Sequence, residues 1–169
     1  MKTVFVDGYN VINSWQNLKE IKEYSYESSR QQLIDTLQNY SEFKAYKVFI
    51  VFDAHMVKGS IEKKERKGNI VVVFTKEGET ADSFIEKAVN NIGRKSEICV
   101  VTSDSLEQQV TFQRGAIRMS SLEFYHEVMN IEKTINNKTE KKYLENKNWL
   151  EDRLDGKTLE KLEKIRRSR

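Results

Sequence analysis

Five carboxylates stand where the apolar runs of this chain stop. TVFVDGYNVI leaves its apolar stretch at Asp7, with Gly8 next and Asn10 three residues on. KVFIVFD ends on Asp53, EICVVTSD ends on Asp104, and GETADSFIEKAV carries Glu79 and Asp82 at the opening of a helical pattern. A charge directly after buried residues is costly without a partner. Carboxylates gathered in one place repel one another, which raises the pKa of some unless a cation neutralises them. An oxygen-only set suits a hard ion such as Mg²⁺ or Mn²⁺. The chemistry expected of it is metal-assisted attack on a phosphate.

Each acid also has a plainer reading. Asp7 with Asn10 can form a turn and helix cap, and Asp104 can cap a helix as well. Asp53 before Ala-His fits a β-turn. Asp82 in a first helical turn is favoured by the macrodipole alone, and it shares a face with Glu79 only if that helix starts early. The amide of Asn10 can hold Asp7 or a water, and Ser103 can hydrogen-bond a carboxylate. What lifts the set above its members is position, since the carboxyl ends of parallel strands converge on one crevice in an open α/β sheet.

The elements required to position them are legible. Residues 3–7, 47–53, 69–75 and 97–104 read as strands, with 116–120 as a weaker fifth. The middle ones are near-continuous Val, Ile and Phe, as expected of strands covered on both faces. Residues 26–43 read as a helix, with Leu33, Ile34, Leu37, Tyr40 and Phe43 at three- and four-residue intervals. Phe84, Ile85, Ala88, Val89 and Ile92 line another helix closed by Gly93. Residues 120–131 form a third, opened by a Ser120–Glu123 capping box; Asp104 with Glu107 fits the acidic variant. A short helix is expected after Gly8. Strands alternating with helices imply parallel units with right-handed crossovers. KGSIEKKERKGN, from Lys58 onward, reads as a surface loop with five basic residues and two acidic ones.

The chain has 169 residues, a prior for one domain, with 33% charged residues and a mean hydropathy of -0.69. No segment approaches the run of about 20 apolar residues that crosses a bilayer, and the first residues are strand-like rather than a signal peptide. One Cys99, inside a strand, fits a small buried hydrophobe and a reducing cytoplasm. The net charge of +3 is uneven: residues 138–169 hold eleven Lys and Arg against seven Asp and Glu, whereas the rest holds 18 against 19. A near-neutral body with a basic tail points to a polyanionic partner held outside the acidic cleft. Residues 1–137 are the expected domain, and 138–169 a basic helical extension.

VDGYNVI, VFDAH, GETADSFIEKAV and VVTSDSLEQQ, followed by RGAIRMSSLEF, together resemble the NYN domains of the YacP-like group, relatives of PIN-domain nucleases. The resemblance covers roughly residues 1–130. It implies a three-layer α/β sandwich with a parallel sheet of order 3-2-1-4-5 flanked by helices. It also implies a metal-dependent endoribonuclease using Mg²⁺ or Mn²⁺, acting on mRNA in association with the ribosome. The matched positions are Asp7, Asn10, Asp53, Glu79, Asp82 and Asp104. On this reading Asp7, Asp82 and Asp104 hold the metal, while Glu79 and Asp53 bind a second ion or orient water. Lys58, Lys63, Lys64, Arg66 and Lys67 hold the RNA backbone electrostatically, and Tyr9, beside Asp7, is placed to stack on a base. Single-stranded RNA is the expected substrate, because one phosphate must descend to the metals.

Competing constellations are missing from the sequence. There is no phosphate-binding GxxxxGK[ST] and no GxGxxG, so no small-molecule cofactor is expected. His55 and His126 are too few and too distant for a zinc site. A phosphoryl-accepting Asp-x-Asp is broken by Tyr9. The remaining alternative is a non-catalytic module that uses the same fold to bind RNA or ribosome.

Overall fold

The computed structural model describes residues 1–54, 61–103, 115–153 and 156–168. The described strands are β1 (Thr3–Asp7), β2 (Lys47–Phe52), β3 (Lys63–Lys67), β4 (Ile70–Phe74), β5 (Ile98–Val101) and β6 (Ile117–Met119). They form one sheet in the order β3-β4-β2-β1-β5-β6. Five strands are parallel and follow the expected 3-2-1-4-5 arrangement, from β4 through β2, β1 and β5 to β6.

The sixth strand corrects the sequence reading. KKERK is not a loop: β3 pairs antiparallel with β4 at the sheet edge. All five of its residues are exposed, so it lacks the buried apolar run by which the other strands were found. Charges along an edge discourage further strand pairing. The two-residue link of Gly68 and Asn69, with Gly68 at φ 57, suits a tight hairpin that requires glycine first.

Helices cover both faces. Between β1 and β2 lie α1 (Gly8–Ser14), α2 (Gln16–Tyr24) and α3 (Tyr26–Lys44). Helix α2 has no counterpart in the sequence reading, because QNLKEIKEY buries only Leu18. In α3, Leu33, Ile34, Leu37 and Tyr40 are buried as expected, but Phe43 is 42% exposed. Repeated three-residue steps lag about 60° each on a 3.6-residue helix. By Phe43 the stripe has been left, and Ser41, four residues after Leu37, takes the buried place.

Helix α4 (Ala81–Ile92) links β4 to β5, on the far side of β1, and ends at Gly93 with φ 68. Its Ala81, Ile85 and Val89 pack with Phe5, Val51, Val73 and Val100. On the opposite face, Trp15 and Tyr40 meet Phe124 of α5 (Ser121–Arg153). The chain therefore reverses direction about β1, and the reversal point opens at the carboxyl ends of the strands. Cys99 is buried, and that burial pushes its thiol up to about 11. It stays protonated near neutrality, in keeping with a packing role.

The chain divides into two compact units, Met1–Ile131 and Glu132–Arg169. In the second unit, α6 (Gly156–Arg167) buries no residue. Tyr143, Leu144, Trp149, Leu162 and Ile165 are exposed there, and the Arg153 guanidinium lies 4.2 Å over the Trp149 ring. Among the described residues, no helix is long and apolar enough to cross a membrane.

Candidate functional site

The register of the sheet brings its carboxyl ends to one edge. Asp7 lies level with Val51, Phe52 with Phe74, and Val101 with Met119. Asp7 closes β1 and also caps α1: its Oδ1 accepts the Asn10 backbone N–H at 3.2 Å. The plain reading of Asp7 as a helix cap is therefore met, at a residue that also stands at the carboxyl end of β1. Gly8, next to it, needs no left-handed backbone. It is glycine because a Cβ there would run into the Phe52 ring, a clash that overpacking data put at ~1–3 kcal/mol. That contact seats the start of α1 on the end of β2.

Asp53 follows β2 directly and is partly buried. The next segment of the edge is organised by Thr75, just past β4. Its buried Oγ accepts the Ala54 N–H at 3.1 Å and donates to the Glu79 carbonyl at 2.7 Å. One hydroxyl therefore ties the chain after Asp53 to the turn that carries Glu79. Helix α4 starts only at Ala81, with Thr80 as its cap accepting from Ser83 N. Glu79 therefore precedes the helix and shares no helical face with Asp82. Asp82 occupies the first turn, partly buried, where the positive end of the helix dipole favours a carboxylate.

Glu79 is the most deeply placed of the described acids, 8% exposed. Its Oε1 pairs with Lys87 Nζ at 2.9 Å. Its Oε2 is buried and, among the described residues, meets no hydrogen-bond partner. A buried carboxylate oxygen left in that state calls for an ion or water.

Among the described residues, the Asn10 side chain meets Ser103 and Ser121. Its Oδ1 accepts the Ser103 N–H at 3.1 Å and the Ser121 hydroxyl, while Ser121 N donates to Ser103 Oγ at 3.3 Å. Next to this group the capping box forms as expected: Ser120 N donates to Glu123 at 2.7 Å and Glu123 N to Ser120 Oγ at 3.2 Å. The Ser120 backbone N–H, first among these bonds, holds the Glu123 carboxyl below its usual range.

The Tyr9 ring meets Tyr26 and Phe52 edge-on, and its hydroxyl accepts from Arg30 at 3.3 Å. Lys63 pairs with Glu65 at 2.6 Å, and Lys64 pairs with Glu62 at 2.7 Å and lies over the Phe84 ring. Arg66 Nε donates to the Gly68 carbonyl. Because β3 runs antiparallel to β4, Lys63 stands level with Phe74 at the acidic edge, and Lys67 level with Ile70 at the other end. Asp104, Lys58, His55 and the Asp104–Glu107 box lie outside the described residues. Among the described residues, no three His, Cys, Asp or Glu side chains form a group that could hold a metal.

Three contributors escaped the sequence reading. Thr75 carried a signal, as the polar residue ending NIVVVFT. Ser121 was hidden by its neighbour Ser120, which explains the helix start alone. Lys87, eight residues from Glu79, has no local signature.

Comparison with known proteins agrees along nearly the whole chain. The family described as YacP-like NYN domain matches residues 4–167, so the similarity extends through the tail and past the limit near 130 set by the motifs. The chain is 44% identical over 144 residues to the uncharacterized protein YacP of Bacillus subtilis, covering 83% of each. A crystal structure of Rae1 (YacP) from Bacillus subtilis superimposes with a TM-score of 0.75 at 39% identity, covering 99% of this chain and 95% of that one. A single-substitution mutant of the same protein gives 0.75 at 38%, over 86% of each chain.

Proposed function

Because the chain belongs to the YacP-like NYN domain family, we propose that it is a metal-dependent endoribonuclease acting on single-stranded RNA, with ribosome-associated mRNA as its setting. The observation that carries this reading is that Asp7, Asp53, Glu79 and Asp82 follow the carboxyl ends of the adjacent parallel strands β1, β2 and β4. The family's kinship with PIN-domain nucleases, resting on the motifs that hold those acids, supports hydrolysis over simple binding.

The donor chemistry suits a hard divalent cation: the acids are all oxygen donors, and Glu79 Oε2 is buried without a described partner. Asp7, Asp82 and Asp104 would hold Mg²⁺ or Mn²⁺, and Glu79 and Asp53 would bind or orient around it. Such an ion, if held there, would supply a water of lowered pKa and positive charge for the phosphate. The chain's own residues set the frame. Asp7 is fixed by its cap on α1, Thr75 fixes the Asp53 and Glu79 segments together, and the α4 dipole steadies the charge on Asp82. Lys63 and Lys64 offer positive charge toward a phosphate backbone.

Incubating the purified protein with end-labelled single-stranded RNA tests this directly. Internal cleavage is expected with Mg²⁺ or Mn²⁺, stopping with EDTA and returning when the metal is replaced. RNA binding without cleavage under every metal would instead support the binding-module reading.

A further inference from the structure

We propose that Asn10 is a positioning residue, a clip that locks the end of β5 and the start of α5 to the end of β1. The proposal rests on the nuclease reading for its catalytic consequence and on geometry for the clip itself. A carbonyl oxygen offers two lone pairs. Both acceptor places on Asn10 Oδ1 are occupied, by the Ser103 N–H and the Ser121 hydroxyl. That oxygen is thereby committed to the protein rather than to a water or an ion.

The bonds join distant parts of the sequence, 93 and 111 residues apart. They also begin where the sheet stops. The paired register of β1 with β5 ends at Val6 and Val101, and two residues further along, Ser103 is held by Asn10 instead. Ser103 Oγ in turn accepts Ser121 N, so the three residues close a small network around buried Ser121. Asp7 hangs from the same residue through the Asn10 backbone N–H. One residue thus sets Asp7 against Ser103, which immediately precedes Asp104 in sequence. Residue type follows from the task. Serine is too short to span the gap, whereas the longer side chain carries an oxygen that accepts both bonds.

The test compares Asn10→Ala, Asn10→Asp, Ser121→Ala and the Asn10→Ala/Ser121→Ala double variant. RNA cleavage kinetics are read beside hydrogen exchange of the Ser103 amide. Asn10→Ala should lower kcat by ~10–100-fold with little change in KM, the scale of a misplaced catalytic group. Asn10→Asp keeps the acceptor and should retain most of the rate. The double variant should fall no more than about 2-fold below Asn10→Ala, because residues acting through one network are not additive. The Ser103 amide should exchange at least ~10-fold faster in Asn10→Ala and near normally in Asn10→Asp, as expected for losing and keeping its acceptor.

Multiplicative losses in the double variant, failure of Asn10→Asp to restore the rate, or unchanged Ser103 exchange would each overturn the proposal. An unaltered protein that cuts no RNA would defeat the nuclease reading and the catalytic use of the clip with it. The exchange rates would still decide whether the clip exists.

Discussion

Asp7→Asn is expected to lower RNA cleavage by at least about 10³-fold while leaving the fold unchanged, the scale of removing a charge that acts on the reacting phosphate. The fold survives because asparagine caps a helix about as well as aspartate. The bond from Asn10 N to Oδ1 of residue 7 can therefore persist in the variant. What disappears is the negative charge at the end of β1. Without metal, removing one charge from a group of like charges is neutral or mildly stabilising, so thermal unfolding of the metal-free variant should match or slightly exceed the wild type. Cleavage gels and a melting curve check both halves. A variant that cuts at the normal rate would remove Asp7 from the chemistry, and one that unfolds early would show its role to be the cap.

Reversal of Lys63 and Lys64 to Glu carries the next largest effect. β3 spreads its charges along the sheet edge, with Lys63 at the acidic end and Lys67 four residues away, about 13 Å at the rise of a strand. Of the β3 cations, Lys63 and Lys64 stand nearest the carboxyl ends of the parallel strands. The exposed pairs with Glu65 and Glu62 are worth little to stability, so the reversal should leave the fold intact. Every phosphate that goes unneutralised takes close to one unit from the slope of log affinity against log salt, so the double reversal should flatten it by ~2 units. Affinity at low salt should fall ~10–100-fold, with Lys67→Glu costing much less. Fluorescence anisotropy with a single-stranded RNA across a salt series reads this. An unchanged slope would make β3 a solvated edge only.

The parts of the fold that the sequence disclosed are those that bury apolar surface. β1, β2, β4, β5, α3 and α4 announced themselves because Val, Ile, Phe and Leu recur at the period of the element. β3 and α2 were missed for the converse reason: one buries nothing, and the other buries only Leu18. Phe43 shows how a correct period still misplaces a residue once the three-residue steps drift.

The acids were legible because a charge ending an apolar run is conspicuous. Their supports were not. Thr75 and Ser121 act through contacts formed only when distant strands meet, and the Asn10 side chain, expected to hold Asp7 or a water, meets residues 93 and 111 positions away. Local spacing finds chemistry-bearing side chains. It does not find what holds them.

The most direct measurement is anomalous diffraction at the manganese edge from crystals soaked in Mn²⁺. The proposed function predicts anomalous density bonded to carboxylate oxygens of Asp7 and Asp82, with Glu79 bonded directly or through water. Well-ordered carboxylates with no anomalous density at Asp7, or density confined to other surface acids, would contradict a metal-dependent site at this edge.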